Sequence, residues 1–501
     1  MQHKFLMPIF AVTMMSLYPP APAAAAVPVS VQFSQTLVNY ANCDSPIAAV
    51  DINNDGRPDI LSASLCDKGD QPATFSVRLA TGNGTYSATE TTYTLPNASE
   101  NAIYNIFTGD FNNDGKADLG ISTSNAIYIY LNTGTGKLVL SNTMNVVPDS
   151  PVVTSDFNHD GKMDIAYILS GELYVMFGNG QGGFTSGPVT PVNYDVGAPL
   201  QTGDFDGDSH GDLVIADVLN YTSPTVLFGD GTGHFVPKSL TTPAGYLDTG
   251  DVNSDGKTDL IVVPYNPTDP EDIQRYLTVY YGNAARTFAK NATIPTTGCP
   301  EFTAVGDMDG NGINDLAVDE SVCSGSGLAN GEYLSVLTRN SNASYNPEQI
   351  VFTMSTQYGG SALGPVLINA DQNSKPDLIS GVCADDHCSA TNYYTLLNTT
   401  TGGSFPTCAP PNSYLGINVC APANGATSPV AMHISAAGQV PMRKVEVWVD
   451  GKKVAQDLTG FSNLSFLDSK VTLTPGSHRV TVYGAGWDNS LEKKTFALNV
   501  K

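Results

Sequence analysis

The sequence predicts an all-β fold in which seven repeats of four short strands precede a smaller β-domain. Three observations lead to this prediction. A nine-residue acidic phrase occurs six times, with a shortened seventh copy, at intervals of 46 to 64 residues. Short apolar runs flank every copy, and 48 glycines and 32 prolines supply frequent turns. Short strands that recur with such a period are typical of repeat architectures built from β-sheets.

The overall composition limits the classes of partner. The 501 residues include 23 basic and 48 acidic side chains, which gives a formal net charge of −25. This excess of negative charge argues strongly against binding to nucleic acid or to an anionic membrane surface. With 41% hydrophobic and only 14% charged residues, the chain has the composition of a folded protein and not of a disordered one.

The N-terminal residues 1–26 have the pattern of a secretory signal peptide. An apolar run from Phe5 to Tyr18 is followed by small residues that end at Ala26, where we expect cleavage. This run is too short to span a bilayer as a stable helix, and no uninterrupted stretch of about 18 apolar residues occurs elsewhere. We therefore expect a secreted or cell-surface protein without a membrane span, in which the eight cysteines form disulfides.

The acidic phrase presents oxygen-bearing side chains at fixed positions. Positions 1, 3, 5 and 9 are Asp or Asn in all six complete copies, and position 6 is Gly in five, with Ser209 as the exception. Position 7 varies, as expected if only its carbonyl coordinates a metal. Ca²⁺ takes six to eight oxygen ligands, which a tight loop can supply. The predicted ligands are Asp51, Asn53, Asp55, Arg57, Asp59, Asp110, Asn112, Asp114, Lys116, Asp118, Asp156, Asn158, Asp160, Lys162, Asp164, Asp204, Asp206, Asp208, His210, Asp212, Asp251, Asn253, Asp255, Lys257, Asp259, Asp307, Asp309, Asn311, Ile313 and Asp315.

An alternative interpretation is that Asp-Gly and Asn-Asp pairs simply form turns. Six copies in register favour the metal, and we expect about six Ca²⁺. The seventh copy, Asp371 to Asp377, lacks the pair at positions 5 and 6, so metal binding there is left open. An EF-hand is excluded because no Glu stands at position 12. His159 and His210 fall at positions 4 and 7, where we expect the side chains to face solvent.

The residues around each loop predict strands. Pro151 to Thr154 and Asp164 to Leu169 flank the third loop, and Leu173 to Phe177 precede a glycine turn before a more polar fourth run. Four short strands in each repeat are the signature of a β-propeller blade. Seven loops imply seven blades over residues 27–407.

The phrase D-x-[DN]-x-D-G-x-x-D-[LIV], with a glycine-rich turn that ends in Phe or Tyr, resembles the FG-GAP/VCBS repeat family, which includes the propellers of integrin α-chains and lectin-like propellers. The resemblance covers about residues 30 to 407. It implies that each loop binds Ca²⁺ between the first and second strands of a blade.

The ends of the repeat region predict how the ring closes. The last repeat stops near Phe405 without a fourth strand, because Cys408 and two prolines follow shortly afterwards. The segment from Val31 to Tyr40 precedes the first loop and resembles an orphan fourth strand. We expect it to complete the seventh blade and to cover an edge that would otherwise be exposed.

The C-terminal part of the chain lacks the acidic phrase. Residues 408–420 are rich in Pro, Asn and Ser and are predicted to be a linker. In residues 421–501, a strictly alternating strand from Lys444 to Val449 is followed by the turn residues Asp450 and Gly451. Several short strands in about 80 residues fit an immunoglobulin (Ig)-like β-sandwich.

The spacing of the cysteines predicts four disulfides. Cys43 and Cys66 stand in the same places around the first loop as Cys299 and Cys323 around the sixth. We therefore expect Cys43–Cys66 and Cys299–Cys323 bridges, which leave Cys383–Cys388 and Cys408–Cys420 as local pairs.

These predicted bridges and the longer insertions lie on the face opposite the calcium loops. A ligand site there would include Asp269, Asp272, Arg275 and Tyr276. An interpretation of equal weight is that these loops only cap the ring.

Catalytic motifs are not found in the sequence, so we expect a protein that is not an enzyme. The leading hypothesis is a monomeric protein that binds carbohydrate or an extracellular protein. One alternative is a polysaccharide-acting hydrolase or lyase on a propeller scaffold, and another is a structural or adhesive scaffold.

Overall fold

The computed structural model describes the following parts of the chain: residues 29–40, 44–64, 72–99, 103–192, 194, 199–217, 222–266, 269–322, 332–354, 363–371, 373, 375–383, 391–403, 408, 416–429, 431–439, 442–457, 464–486 and 491–501. The predicted signal peptide lies outside these residues. No helix in these parts is long and apolar enough to cross a membrane.

The described residues form β-strands throughout, and the first 31 strands make seven antiparallel sheets, numbered here in chain order. β1 (Phe33–Tyr40) belongs to the seventh sheet. The first sheet contains β2 (Asp44–Val50), β3 (Asp59–Ser64), β4 (Pro72–Arg78) and, after the small hairpin of β5 (Ala80–Gly82) and β6 (Thr85–Tyr86), β7 (Thr91–Ser99). The second contains β8 (Ile103–Gly109), β9 (Asp118–Thr123), β10 (Ile127–Asn132) and β11 (Leu138–Met144). The third contains β12 (Val153–Ser155), β13 (Asp164–Leu169), β14 (Glu172–Gly178) and β15 (Phe184–Pro191).

The remaining sheets of this group repeat the same order. The fourth contains β16 (Leu200–Gly203), β17 (Asp212–Asp217), β18 (Thr222–Gly229) and β19 (Phe235–Ser239). The fifth contains β20 (Gly245–Gly250), β21 (Asp259–Asn266), β23 (Tyr276–Tyr281) and β24 (Ala289–Pro295), with β22 (Asp269–Ile273) paired to β21. The sixth contains β25 (Cys299–Gly306), β26 (Asp315–Ser321), β27 (Glu332–Leu337) and β28 (Gln349–Met354). The seventh contains β29 (Leu363–Ile368), β30 (Asp377–Cys383), β31 (Thr391–Asn398) and β1.

The seven sheets form a ring. The first strand of each sheet contacts the first strand of the next, and the first strand of the seventh sheet contacts that of the first. Each neighbouring pair of sheets shares one apolar cluster, including a cluster in which Ile60 of the first sheet packs against Tyr393 of the seventh. This arrangement of sheets is that of a β-propeller, as predicted.

Burial along the strands follows from this packing. The second strand β9 is buried at every position, because sheets cover both of its faces. The fourth strand β11 is exposed at alternate and consecutive positions, because it lies at the outer edge of its sheet. The contrast explains why second strands are continuous apolar runs while fourth strands are more polar.

The predicted ring closure is confirmed. β1 pairs antiparallel with β31 over its full length, from Phe33 opposite Asn398 to Tyr40 opposite Thr391. It is the fourth strand of the seventh sheet. Val31, just before β1, is buried in the cluster that joins the sixth and seventh sheets.

The C-terminal strands form two further sheets that enclose one core. They are β32 (Ile417–Ala421), β33 (Thr427–Ser428), β34 (Ala431–Gln439), β35 (Met442–Val449), β36 (Lys452–Asp457), β37 (Leu464–Thr472), β38 (Gly476–Gly486) and β39 (Leu491–Val500). One sheet has the order β32-β34-β37 and the other β33-β39-β38-β35-β36. Asp450 and Gly451 have φ of 49° and 81°, as the predicted hairpin turn requires.

The structure corrects the predicted linker. β32 begins at Ile417, inside the segment 408–420, and Ile417 is buried in the C-terminal core. The surrounding Pro and Asn residues conceal this strand in the composition. The predicted Cys408–Cys420 disulfide is present and connects this strand to the chain before it.

Removing β1 should destabilise the ring. A chain that starts at residue 41 loses eight backbone partners of β31 and exposes its edge, so we expect its melting temperature to fall by about 4 °C or more. The control is a chain that starts at residue 27, which keeps β1. Identical thermal melting curves for the two chains would contradict this account.

Candidate metal centres

The six complete acidic loops each connect the first and second strands of a sheet, as the sequence predicts. The loop from Asp51 to Asp59, for example, joins β2 to β3. The loop ends at its ninth residue, which is also the first residue of the second strand. The same connection recurs in the second to sixth sheets, so the predicted ligands occupy equivalent places in the fold.

The carboxylate at position 9 is fully buried and fixes the loop to the rest of the sheet. In the third sheet, the Asp164 Oδ2 accepts the Phe157 N–H at 3.0 Å, while Oδ1 accepts the Gly178 N–H at the end of the third strand at 2.7 Å. Equivalent pairs of bonds, of 2.7 to 3.0 Å, are made by Asp59, Asp118, Asp212, Asp259 and Asp315.

Positions 1, 3 and 5 are held by bonds within the loop. Asp156 accepts the N–H groups of Asp160 and Gly161 at 3.0 and 2.8 Å. Asn158 Oδ1 accepts the Asp160 N–H at 3.0 Å, and Asp160 Oδ1 accepts the Lys162 N–H at 3.0 Å. The backbone thereby orients one oxygen of each side chain, and the last two bonds occur in all six loops.

The backbone of each loop is left-handed at two positions, of which the sequence predicted one. Position 6 has φ between 76° and 83°, including Ser209. Position 4 has φ between 56° and 77°, although it is occupied by Asn, His, Gly or Ser, such as Asn54 and His159. Asn tolerates this conformation better than most residues. The presence of Asn, His, Ser or Gly at position 4 was the signal that the sequence offered.

The side chain at position 7 forms ion pairs, although the sequence assigned a role only to its backbone carbonyl. Lys116 and Lys162 each place Nζ 2.7 Å from the position-5 carboxylate of their own loop, and Lys257 lies at 3.2 Å. Ile313 stands at position 7 in the one loop that has Asn at position 5, Asn311. The side chain at position 7 therefore matches the charge at position 5. The remaining pairs are Arg57–Asp55 at 3.9 Å and His210–Asp208 at 3.2 Å.

Of the two loop histidines, one agrees with the prediction and the other departs from it. His159 is exposed, as expected. His210 is only half-buried, but it contacts Asp208, and its ring lies 5.5 Å from that of His159 in the neighbouring loop. The rings thus join the third and fourth loops and do not simply face solvent.

Carboxylate oxygens converge in the fourth and sixth loops. One oxygen each of Asp204, Asp206 and Asp208 lie within 4.8 Å of one another, and the same holds for Asp307, Asp309 and Asp315. Burial raises the pKa of Asp212 to about 9 and of Asp259 to about 8, and neighbouring carboxylates add to both shifts. A set of carboxylate, amide and carbonyl oxygens is the donor set that a hard divalent cation prefers, so these residues fit such an ion.

The seventh loop keeps only part of this arrangement. Asp377 is fully buried and accepts the N–H groups of Ala370 and Asn398, both at 2.8 Å. Lys375 directs its Nζ to the carbonyl oxygen of Thr400 at 2.6 Å. The closing carboxylate therefore survives without the Asp-Gly pair, which indicates that its role does not depend on a complete loop.

The predicted ligand residues of the fifth sheet are not brought together in the described part of the structure. Asp269 and Asp272 lie on β22, but their side chains are outside that part. Arg275 is exposed, and Tyr276 begins β23 and is half-buried. Cys299 is disulfide-bonded. The Cys43–Cys66, Cys299–Cys323 and Cys383–Cys388 pairs involve atoms outside the described residues and stay predictions.

The sequence did not reveal a group of buried acidic side chains in the sixth sheet, at the end opposite the acidic loops. Asp319, Glu320 and Glu332 are all buried. Glu320 accepts the Gly298 N–H at 2.6 Å, and neither oxygen of Asp319 has a geometric hydrogen-bond partner among the described residues. Burial raises the pKa of Glu320 and of Glu332 to about 8. The one signal in the sequence is the pair of acidic residues Asp319 and Glu320 directly after the apolar residues of β26.

Exposed aromatic side chains were also missed. Tyr104, Tyr246 and Phe302 are 53%, 41% and 40% exposed. They lie on the first strands β8, β20 and β25, which precede the acidic loops. The three side chains therefore lie towards the end of the sheets that is opposite these loops.

Two substitutions in one loop should separate the structural carboxylate from the metal ligand. Asp164→Asn leaves one of two buried N–H groups without an acceptor, so we expect a loss of about 1–3 kcal/mol in the free energy of unfolding even in EDTA. Asp160→Asn changes an exposed ion pair and should cost less than about 1 kcal/mol there. Urea unfolding in EDTA measures both, and equal losses would contradict the assignment.

The buried acids predict a pH dependence. Glu332 binds its proton up to about pH 8 when folded but only near its ordinary pKa of 4.5 when unfolded. The folded state therefore holds more protons between these values, and stability falls as pH rises from about 5 to 8. Glu332→Gln should flatten this fall by up to about 1.4 kcal/mol per pH unit. Urea unfolding at several pH values compares the parent protein with Glu332→Gln. Parallel plots of unfolding free energy against pH would contradict the role of Glu332.

Comparisons with known proteins follow the same repeats. An FG-GAP-like repeat model matches residues 51–121, 110–167, 156–215, 204–262 and 251–318, together just over half of the chain. A search of curated proteins found no match.

Similar solved structures include an Agrocybe aegerita lectin that recognises non-reducing terminal N-acetylglucosamine (14% identity, 64% of this chain and 81% of that chain, TM-score 0.44). They also include the Photorhabdus luminescens Tc holotoxin pore (12% identity, 85% of this chain and 23% of that chain, TM-score 0.35). A third is a luciferin-regenerating enzyme (9% identity, 57% of this chain and 90% of that chain, TM-score 0.36). On the strength of the repeat matches, this chain belongs to the FG-GAP-like repeat family.

Proposed function

We propose that this protein is a secreted, calcium-stabilised, seven-bladed β-propeller that binds carbohydrate at the face opposite its metal loops, with an Ig-like domain at its C-terminus. The observation that carries the binding function is the set of three exposed aromatic side chains, Tyr104, Tyr246 and Phe302. They lie on the first strands of three sheets.

Seven blades are supported by the closed cycle of seven sheets and by the apolar cluster that each neighbouring pair shares. The Ig-like assignment is supported by two β-sheets around one core, to which Val447 and Leu498 contribute. Secretion is supported by the sequence pattern of residues 1–26.

Calcium is supported by the chemistry and the charge of the loops. Each complete loop combines at least three carboxylates with oxygens that the backbone has already oriented, and burial makes their charge unfavourable without a cation. Residues at positions 1, 3, 5 and 9, with the carbonyl of position 7, would hold the ion. Bound Ca²⁺ would then neutralise the buried carboxylates and stabilise the folded state.

Carbohydrate is supported by the nature of the exposed side chains. Aromatic rings offer flat apolar faces, and Tyr adds a hydroxyl that can form hydrogen bonds. Exposed aromatic groups on a rigid strand lose little conformational entropy when they bind a ligand. An extracellular protein partner could use the same surface and is the second outcome of the test below.

Polysaccharide cleavage is the second candidate function. It is favoured by the acids with raised pKa at the same end of the sixth sheet, since a protonated carboxyl can serve as a general acid. Asp319, Glu320 and Glu332 are, however, almost completely buried. A substrate could not touch them in this conformation, so binding without cleavage is the function that we put first.

A glycan array tests the proposal. We expect the chain from residue 27 to bind at least one glycan class, and Tyr104→Ala, Tyr246→Ala or Phe302→Ala to weaken binding about tenfold or more at unchanged melting temperature. Val236→Ala, an exposed apolar residue on the fourth strand β19, is the matched control and should bind normally.

The calcium part is measured on the same protein by elemental analysis and by melting in EDTA. We expect about six bound ions and a lower melting temperature after chelation. No bound calcium together with unchanged melting would contradict this part. An array without any signal would refute carbohydrate binding, and sugar release from polysaccharides would favour the enzyme.

A further inference from the structure

The fourth loop differs from the other five complete loops in its charge. Positions 1, 3, 5 and 9 hold three carboxylates and one amide in those five loops, whether the amide is at position 3, as in Asn53, or at position 5, as in Asn311. The fourth loop has Asp at all four positions, because Asp206 and Asp208 stand at positions 3 and 5. It therefore carries one negative charge more than any of the others.

In two of these loops the amide forms a hydrogen bond that Asp206 cannot donate. In the first loop, Asn53 Nδ2 donates to Asp55 Oδ2 at 3.1 Å, and in the sixth loop Asn311 Nδ2 donates to Asp309 Oδ2 at 3.2 Å. A carboxylate has no hydrogen to donate at neutral pH. The outer oxygens of Asp206 and Asp208 would therefore repel each other without an external donor.

The fifth sheet supplies that donor. Arg286 places Nε 2.6 Å from Asp206 Oδ2 and one terminal nitrogen 3.3 Å from Asp208 Oδ2. Its guanidinium carbon lies 4.8 Å from the centre of the Phe228 ring, and the Lys238 side chain donates to its backbone carbonyl. Asp206 is buried and Arg286 is about one-third exposed, so solvent screens this ion pair only in part.

Arg286 stands where five of the other six sheets have glycine. It is four residues after Gly282, whose N–H binds the carboxylate at position 9 of the fifth loop. The equivalent residues in the second, third and fourth sheets are Gly136, Gly182 and Gly233, and each donates its backbone N–H to the carbonyl of position 2 in the preceding loop, at 2.8 to 3.2 Å. Arg286 instead donates its N–H to Asn283 within its own turn.

The joint between the fourth and fifth sheets thus uses a side chain where these three joints use the backbone. Arg286 has a φ of 57°, in the left-handed region that favours glycine. An arginine at such a position accepts an unfavourable backbone conformation, and the contacts with two carboxylates offset that cost.

We propose that Arg286 is a built-in counter-ion of the fourth loop, which keeps this loop and its joint with the fifth sheet intact without metal and weakens calcium binding there. The second half of this inference rests on the proposed calcium function, and the first half does not. Extra carboxylates raise the affinity of a site for Ca²⁺, so a guanidinium that neutralises one of them lowers it.

Arg286→Gly is the informative variant, because glycine is the residue of the equivalent turns and suits the positive φ. At pH 8 in EDTA, we expect it to lower the melting temperature by at least about 2 °C, since Asp206 and Asp208 are left without their counter-ion. In millimolar calcium, the loss should be less than half as large, because the ion takes over the neutralisation. Calorimetric titration should show at least tenfold tighter calcium binding at one site.

Asp206→Asn in the Arg286→Gly background is the matched control. It restores the composition of three carboxylates and one amide, so most of the loss in EDTA should be recovered. If Arg286→Gly melts like the parent protein in EDTA, or if Asp206→Asn recovers nothing, the counter-ion role is refuted. If calcium affinity at every site is unchanged while the EDTA results hold, the effect on the metal is refuted.

The design separates this inference from the proposed function. Should the parent protein bind no calcium at all, its melting curves in EDTA and in calcium would coincide, and the calcium function would fail. The two variants measured in EDTA would still decide whether Arg286 neutralises the fourth loop.

Discussion

The repeated part of this protein depends on a carboxylate that has no contact with water. In the six complete loops the ninth residue binds one N–H group of its own loop and another at or near the end of the third strand. In the seventh sheet, Asp377 makes a corresponding pair of bonds. These bonds hold the loop against the sheet and fix where the second strand begins. Burying a negative charge at this place is unfavourable unless something neutralises it, which is the physical reason for proposing a cation in the acidic loops.

Features that depend on a few neighbouring residues were predictable from the sequence. The loop positions, the glycine at position 6 and the hairpin at Asp450 follow from local chemistry, because the residues that make each contact are close together in the chain. The role of β1 was also predictable, since the seventh repeat lacks one strand and the N-terminal segment has one to spare. Composition alone misplaced the start of β32, because one short strand is outweighed by the prolines and asparagines around it.

Features that depend on distant residues were not predictable. Arg286 is 80 residues from Asp206, and a single arginine in a glycine turn gives no sign of its partner. The buried acidic side chains of the sixth sheet could not be recognised in the sequence either, because their burial results from packing by other strands. The pairing of positions 5 and 7 lies in between, since Lys or Arg stands at position 7 in four of the six loops. The variation at this position was nevertheless explained by a role of its carbonyl alone.

The pairing of β1 with β31 has a consequence for how the protein folds. The two strands are separated by about 360 residues, so the last sheet cannot be completed until nearly the whole repeat region has been synthesised. Contacts between residues so far apart in the chain are slow to form. Until they form, the chain is an open arc with an unpaired strand at one end, a state prone to aggregation. The same pairing that makes the finished ring resistant to opening therefore makes its last folding step the vulnerable one.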